Sequence, residues 1–154
     1  MSDPPPRLIC TDTSVIGGYY DRAFRQATRQ LFDQFVRGAD YLMLSDLAFE
    51  EILPGPERVR DVPFLVPTEH RRHVVATPET GLLAGEYIRA GVVEEKELAD
   101  ATHVAIATVY GADALVNWNR SDFHRWKEEY NQVNERLGYP PVEITDPKAV
   151  LRHE

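Results

Sequence analysis

Short apolar runs separated by helix-patterned segments constrain this chain more than any other feature. Arg7-Leu-Ile-Cys-Thr11, Tyr41-Leu-Met-Leu44 and Asp113-Ala-Leu-Val-Asn117 are each too short for a helix and show no polar alternation, so each reads as a buried strand. Strands of this kind, alternating with amphipathic helices, bury their faces in a mainly parallel sheet with helices on both sides. The predicted architecture is therefore a single three-layer α/β domain over residues 1–154, with an extended, proline-rich lead-in at residues 1–6. A length of 154 residues suits one domain with one continuous core.

Between the strands, Phe24, Ala27, Leu31, Phe32 and Phe35 recur at helical spacing within Arg22–Val36, and Gly38 is placed to end that helix. Thr13 to Gly18 reads as a turn. Ser45 or Asp46 can cap a helix that carries Leu47, Glu50 and Glu51 and ends before Pro54. Leu53 to Pro78 is interrupted by prolines and leaves room only for a short helix near Glu57–Asp61. Further helices are predicted from Glu79 to Gly91, from Glu94 to Tyr110 with Gly111 after it, and from Phe123 to Leu137. A weak strand at Pro140–Ile144 and a turn capped by Asp146 follow.

The chain has 17 basic and 25 acidic residues, a formal net charge of −8. That balance argues against a surface that coats nucleic acid, but not against a nuclease whose own carboxylates hold a metal ion. No apolar run approaches the ~18 residues of a membrane span, and the start lacks a charged segment followed by an apolar one. A single cysteine forms no internal disulfide. The expectation is a cytoplasmic protein with no membrane partner.

In open parallel sheets chemistry gathers at the carboxyl ends of the strands, where the strand order reverses. Asp12 ends the first strand, Glu51 lies six residues beyond Ser45, Asp100 opens the clearest helix and Asn119 follows the third strand. Carboxylates packed together raise one another's pKa unless a cation neutralises them, and hard oxygen donors suit Mg²⁺ or Mn²⁺. With 25 acidic residues, a triple of this kind also arises by accident. Each acid has an ordinary structural role beside the functional one: Asp12 as a turn cap, Asp100 as a first-turn helix acid, Asn119 as a turn residue.

The residues resemble those of a known family. Leu8-Ile-Cys-Thr-Asp-Thr-Ser-Val-Ile-Gly-Gly-Tyr-Tyr20 is similar to the opening of PIN-domain proteins, in particular a VapC-like toxin subgroup. Leu44-Ser-Asp-Leu-Ala-Phe-Glu-Glu-Ile52, Asp100-Ala-Thr-His-Val-Ala-Ile-Ala-Thr108 and Asp113-Ala-Leu-Val-Asn-Trp-Asn119 resemble its later motifs, and Tyr130-Asn-Gln-Val-Asn134 with Gly138-Tyr-Pro140 its tail. The resemblance implies a Mg²⁺- or Mn²⁺-dependent endoribonuclease, the toxin of a toxin–antitoxin pair. Asp12, Glu51 and Asp100 would hold the metal, with Asn119 at a fourth position that is commonly aspartate. Glu50 competes with Glu51 by register, and Asp122 is a substitute acid near Asn119.

The implied partners are an RNA substrate, a cognate antitoxin and a second copy of the chain. Phe24, Phe32 and Phe35 are taken as apolar surface for that homodimer. The alternative function is a non-catalytic PIN-like module that binds RNA or protein, which the neutral Asn119 favours. A phosphoryl-transfer receiver or phosphatase fits less well, because no aspartate stands two residues after Asp12 and Lys96, Lys127 and Lys148 lie away from strand ends. Among neighbouring residues, Ser14 can hold the Asp12 carboxylate, and His103 is read as a packing or supporting residue. His70 and His73 are read as solvated, Cys10 as core, and Tyr19 and Tyr20 as packing. Arg22, Arg25 and Arg29 are read as a solvated face, and Trp118 as packed on the last helix.

Overall fold

The computed structural model describes residues 4–119 and 124–153. Five strands, β1 (Leu8–Thr11), β2 (Tyr41–Ser45), β3 (Arg71–Val74), β4 (Ala114–Val116) and β5 (Glu143–Thr145), form one sheet in the order β3-β2-β1-β4-β5. Every pairing is parallel, with Cys10 in register with Met43 on one side and Leu115 on the other. The chain builds outward from β1 to β3, then crosses back to build β4 and β5. The strand order therefore reverses between β1 and β4, which places a cleft-forming point at their carboxyl ends.

Helices α1 (Thr13–Gly18), α2 (Arg25–Val36), α3 (Asp46–Ile52) and α4 (Glu57–Arg60) precede β3. Helices α5 (Pro78–Arg89), α6 (Leu98–Val109) and α7 (Lys127–Arg136) follow it. Side chains alternate between faces along a strand. Ile9, Leu42, Leu44, Ala114 and Val116 pack with Val15, Leu31, Phe32, Phe35 and Ile52 on the α1–α3 side. Cys10, Met43 and Leu115 pack with Leu83, Tyr87, Val104, Ala105 and Tyr130 on the α5–α7 side. The expected layered α/β fold is present. No helix among the described residues is long and apolar enough to cross a membrane.

Several local expectations need correction. Residues 13–18 are a short helix rather than a turn, capped by Asp12. The irregular stretch hides β3, whose Arg-Arg-His-Val sequence lacks a strand signature because it is a half-exposed edge strand paired only with β2. Trp118 packs on the α2 side instead of the last helix. Its ring stacks on Phe24 with centroids 4.4 Å apart and its Nε1 donates to Thr28 Oγ1 at 3.0 Å. Gly18 allows this, since a Cβ there would lie 2.8 Å from Trp118 Nε1.

His70 is not a solvated residue. Its Nδ1 lies 3.0 Å from the Phe35 carbonyl oxygen and 3.1 Å from that of Val36, closing the end of α2. Gly38 at φ +77° gives it room. Phe32 and Phe35 lie in the core and Phe24 under Trp118, so they are not spare surface; the exposed apolar side chains include Leu53, Phe64 and Leu82.

A carboxylate clamp closes the amino end of the sheet. Asp40 is fully buried, and it accepts from Arg7 Nε at 3.0 Å and Nη2 at 2.9 Å, from Arg152 Nη2 at 2.8 Å and from Gln34 Nε2 at 2.8 Å. The clamp ties the segment before β1 and the segment after β5 to α2. Burial alone would raise the Asp40 pKa, but the bonds from Arg7 and Arg152 outweigh it and hold the group at about 2.

Because the folded pKa lies below the ~3.9 of an unfolded aspartate, this stabilisation is present above pH ~4 and is lost as pH falls towards 2. Asp40→Ala should cost about 3 kcal/mol at pH 7, since it strands two arginines that are only partly exposed. Urea unfolding should show that gap narrowing by pH 2.5; a gap that stays constant with pH would contradict the pairing.

Candidate active site

The sheet's carboxyl end collects the polar residues. Asp12 leaves β1 in extended conformation, its amide still donating to the Val116 carbonyl at 3.3 Å, and then caps α1. Its Oδ1 accepts from Ser14 Oγ at 2.6 Å and from the Val15 amide at 3.3 Å. Ser14 Oγ in turn accepts from the Trp118 amide at 2.9 Å, so the chain leaving β4 is tied to the same carboxyl group. Asp12 is only 6% exposed. Burial pushes its pKa up to about 6, against the bonds from Ser14 and Val15 and the pull of His103, while the charge of Glu51 pushes it further up.

β2 ends at Ser45, whose Oγ accepts from the Ala48 amide at 3.1 Å and starts α3. The helix carries Glu51 towards Asp12; Glu50 and Glu51 are both exposed, and the contacts to Thr13 and His103 belong to Glu51. Glu51 Oε1 accepts from His103 Nε2 at 2.7 Å and from Thr13 Oγ1 at 3.0 Å. The bond from His103 is the main reason the Glu51 carboxyl sits below its usual range. Helix α6 packs beside α5 and begins at this same end of the sheet. It holds half-buried Asp100 in its first turn and buried His103 one turn later.

The structure therefore brings Asp12, Glu51, Thr13, Ser14 and His103 into one connected group and sets Asp100 a turn away from it. Asn119 lies two residues past Asn117 and is exposed, whereas Asn117 is fully buried. Asp122 falls outside the described residues. Sequence reasoning passed over Thr13 and Asn117. The visible signal for Asn117 was a polar residue closing an otherwise apolar strand.

In kind, these donors fit a hard divalent cation: carboxylate and amide oxygens, one carboxyl desolvated enough to be held near pKa 6. As they stand, no three His, Cys, Asp or Glu side chains among the described residues lie close enough to share an ion. Glu51 is committed to His103 and Thr13.

No protein-family model and no curated protein matches the chain. Solved structures do. VapC20 of Mycobacterium tuberculosis, a sarcin-ricin loop cleaving toxin, superposes with a TM-score of 0.57 at 15% identity, covering 88% of this chain and 98% of its own. FitAcB of Neisseria gonorrhoeae gives 0.60 at 13% identity, with 92% and 99% covered. VapBC2 of Rickettsia felis, bound to a DNA fragment from their promoter, gives 0.55 at 10% identity, with 90% and 98% covered. The sheet order and its helical layers thus define a PIN-like α/β domain, with the fold of VapC-type toxins.

An acid whose folded pKa exceeds its unfolded value loses stabilisation as pH rises between the two. For Asp12 that interval runs from ~4 to about 6, and the accumulated cost at neutral pH is on the order of 2–3 kcal/mol. In EDTA at pH 7.5, Asp12→Asn should therefore melt at or above the wild type, the difference shrinking towards pH 4. A variant that melts clearly lower at pH 7.5 would make Asp12 a simple cap.

Proposed function

We propose that the protein is a metal-dependent endoribonuclease, the toxin of a toxin–antitoxin pair. The observation that carries this reading is the desolvated Asp12 carboxyl at the reversal point of the sheet, with Glu51 in its field and Asp100 at the start of the adjoining helix. The sarcin-ricin loop cleaving activity of VapC20, on a similar fold, supports the choice of RNA as substrate. VapBC2 with its promoter DNA supports a cognate antitoxin for this chain.

Asp12, Glu51 and Asp100 would hold Mg²⁺ or Mn²⁺, with Asn119 adding a neutral oxygen, and the ion when bound supplies Lewis-acid polarisation of the phosphodiester and a more acidic attacking water. The chain's own residues perform the positioning. Ser14 fixes the rotamer of Asp12, and Thr13 and His103 aim Glu51. His103 donates its Nε2–H to Glu51, because a carboxylate only accepts. No side-chain nucleophile is required.

The second reading, a non-catalytic RNA- or protein-binding module, draws on Asn119, which brings no charge and is exposed. A homodimer is also part of the proposal, with Leu53, Phe64 and Leu82 offering exposed apolar surface.

Purified protein should cleave a mixed RNA pool with Mn²⁺ and stop when EDTA is added. Asp100→Asn should slow cleavage at least ~100-fold, about 2.7 kcal/mol in the barrier. Equal cleavage by wild type and variant in EDTA would assign the activity to a contaminant. No cleavage with either ion would favour the binding module.

A further inference from the structure

Asn117 is the one buried amide of the described chain that the protein itself leaves unbonded. It is 0% exposed, and neither its Nδ2 nor its Oδ1 has a hydrogen-bond partner. The other buried amides are fully used. Gln34 Nε2 donates to Asp40 Oδ2 and its Oε1 accepts from the Arg152 amide. Asn134 Nδ2 donates to Thr108 Oγ1 and its Oδ1 accepts from Tyr87 Oη. A buried carboxamide without partners is destabilising, and an apolar side chain of similar shape would extend the Ala-Leu-Val run of β4 without that cost.

The location says what the amide faces. Thr11 pairs with Val116, so Asp12 and Asn117 occupy the next positions on adjacent strands. The Asn117 amide donates to the Thr145 carbonyl at 3.1 Å, keeping this backbone in the sheet. Cys10 and Leu115, two residues earlier on each strand, both pack on the α5–α7 side. Alternation therefore sets Asp12 and Asn117 side by side on that same face, beneath the start of α6 with Asp100 and His103.

We infer that Asn117 is a binding group of the active site, presenting its carboxamide oxygen to the divalent cation bound beside Asp12. This rests on the nuclease reading above. A carboxamide suits the position because it offers an acceptor oxygen to the cation and a donor NH₂ to a water the cation carries. It does so without adding a charge to Asp12, Glu51 and Asp100. Asn119, two residues on, is exposed instead.

Isothermal titration with Mn²⁺ and thermal melting in EDTA test the inference on full-length protein. Asn117→Leu should melt in EDTA at or above the wild type, because it relieves an unpaired buried amide. It should also bind Mn²⁺ roughly 10- to 100-fold more weakly. Lost affinity with retained apo stability separates a binding role from a structural one. Should the leucine variant fail to fold, Asn117→Ala carries the same comparison. A variant that binds Mn²⁺ as tightly as the wild type overturns the inference and leaves the nuclease reading standing. A wild type that takes up no Mn²⁺ overturns that reading and this inference with it.

Discussion

The carboxyl end of the sheet is organised around a single carboxyl group removed from water, that of Asp12. The parallel pairing of β1 between β2 and β4 puts it there: the central strand delivers its last residue where the two halves of the sheet diverge. Its neighbours are then set by what a buried carboxylate needs. Ser14 donates to it, the Trp118 amide donates to Ser14, and the Trp118 indole donates to Thr28 in α2. One run of hydrogen bonds thus connects the end of β1, the exit of β4 and the body of α2. Gly18 is part of the same arrangement, since any side chain there would collide with the indole.

The two ends of the sheet treat buried aspartate in opposite ways. Asp40, at the amino end, is surrounded by Arg7, Arg152 and Gln34 and is held at about 2. Asp12, at the carboxyl end, meets a hydroxyl, a backbone amide, a histidine and a second carboxylate and rises to about 6. Both carboxyls are buried, so the partners decide the sign. Two guanidinium groups repay the desolvation of one, whereas neutral donors only reduce that of the other. The amino end ties the segments before β1 and after β5 to α2, and the carboxyl end leaves a buried carboxyl without a guanidinium partner.

Much of this was legible in the sequence, for physical reasons that can be named. The strands β1, β2 and β4 are buried on both faces, and such strands announce themselves as unbroken apolar runs. Ser45 and Asp146 were readable as caps because a hydroxyl or carboxylate just before a helical turn has a specific use there. β3 was not legible, because an edge strand buries little and its arginines and histidine carry no period-two signal. Trp118 was misplaced because its partner, Phe24, is distant in sequence and only a glycine in α1 lets the ring approach. At the site, the carboxylates could be nominated from strand ends and motif spacing. The His103–Glu51 contact joins two helices and has no local signature.

Two sets of buried polar side chains away from the carboxyl end are closed, the Tyr87–Thr108–Asn134 group between α5, α6 and α7 and the Asp40 clamp, while Arg71 Nε in the edge strand β3 is buried without a hydrogen bond. At the carboxyl end, Asp12 is desolvated without a full countercharge, and Asn117 beside it has no protein partner. An apolar residue at position 117 and a guanidinium near Asp12 would remove both departures. Local departures of this kind concentrate where a protein meets its ligand. Asp12 and Asn117 fall together at the β1/β4 reversal, where the register sets them on adjacent strands.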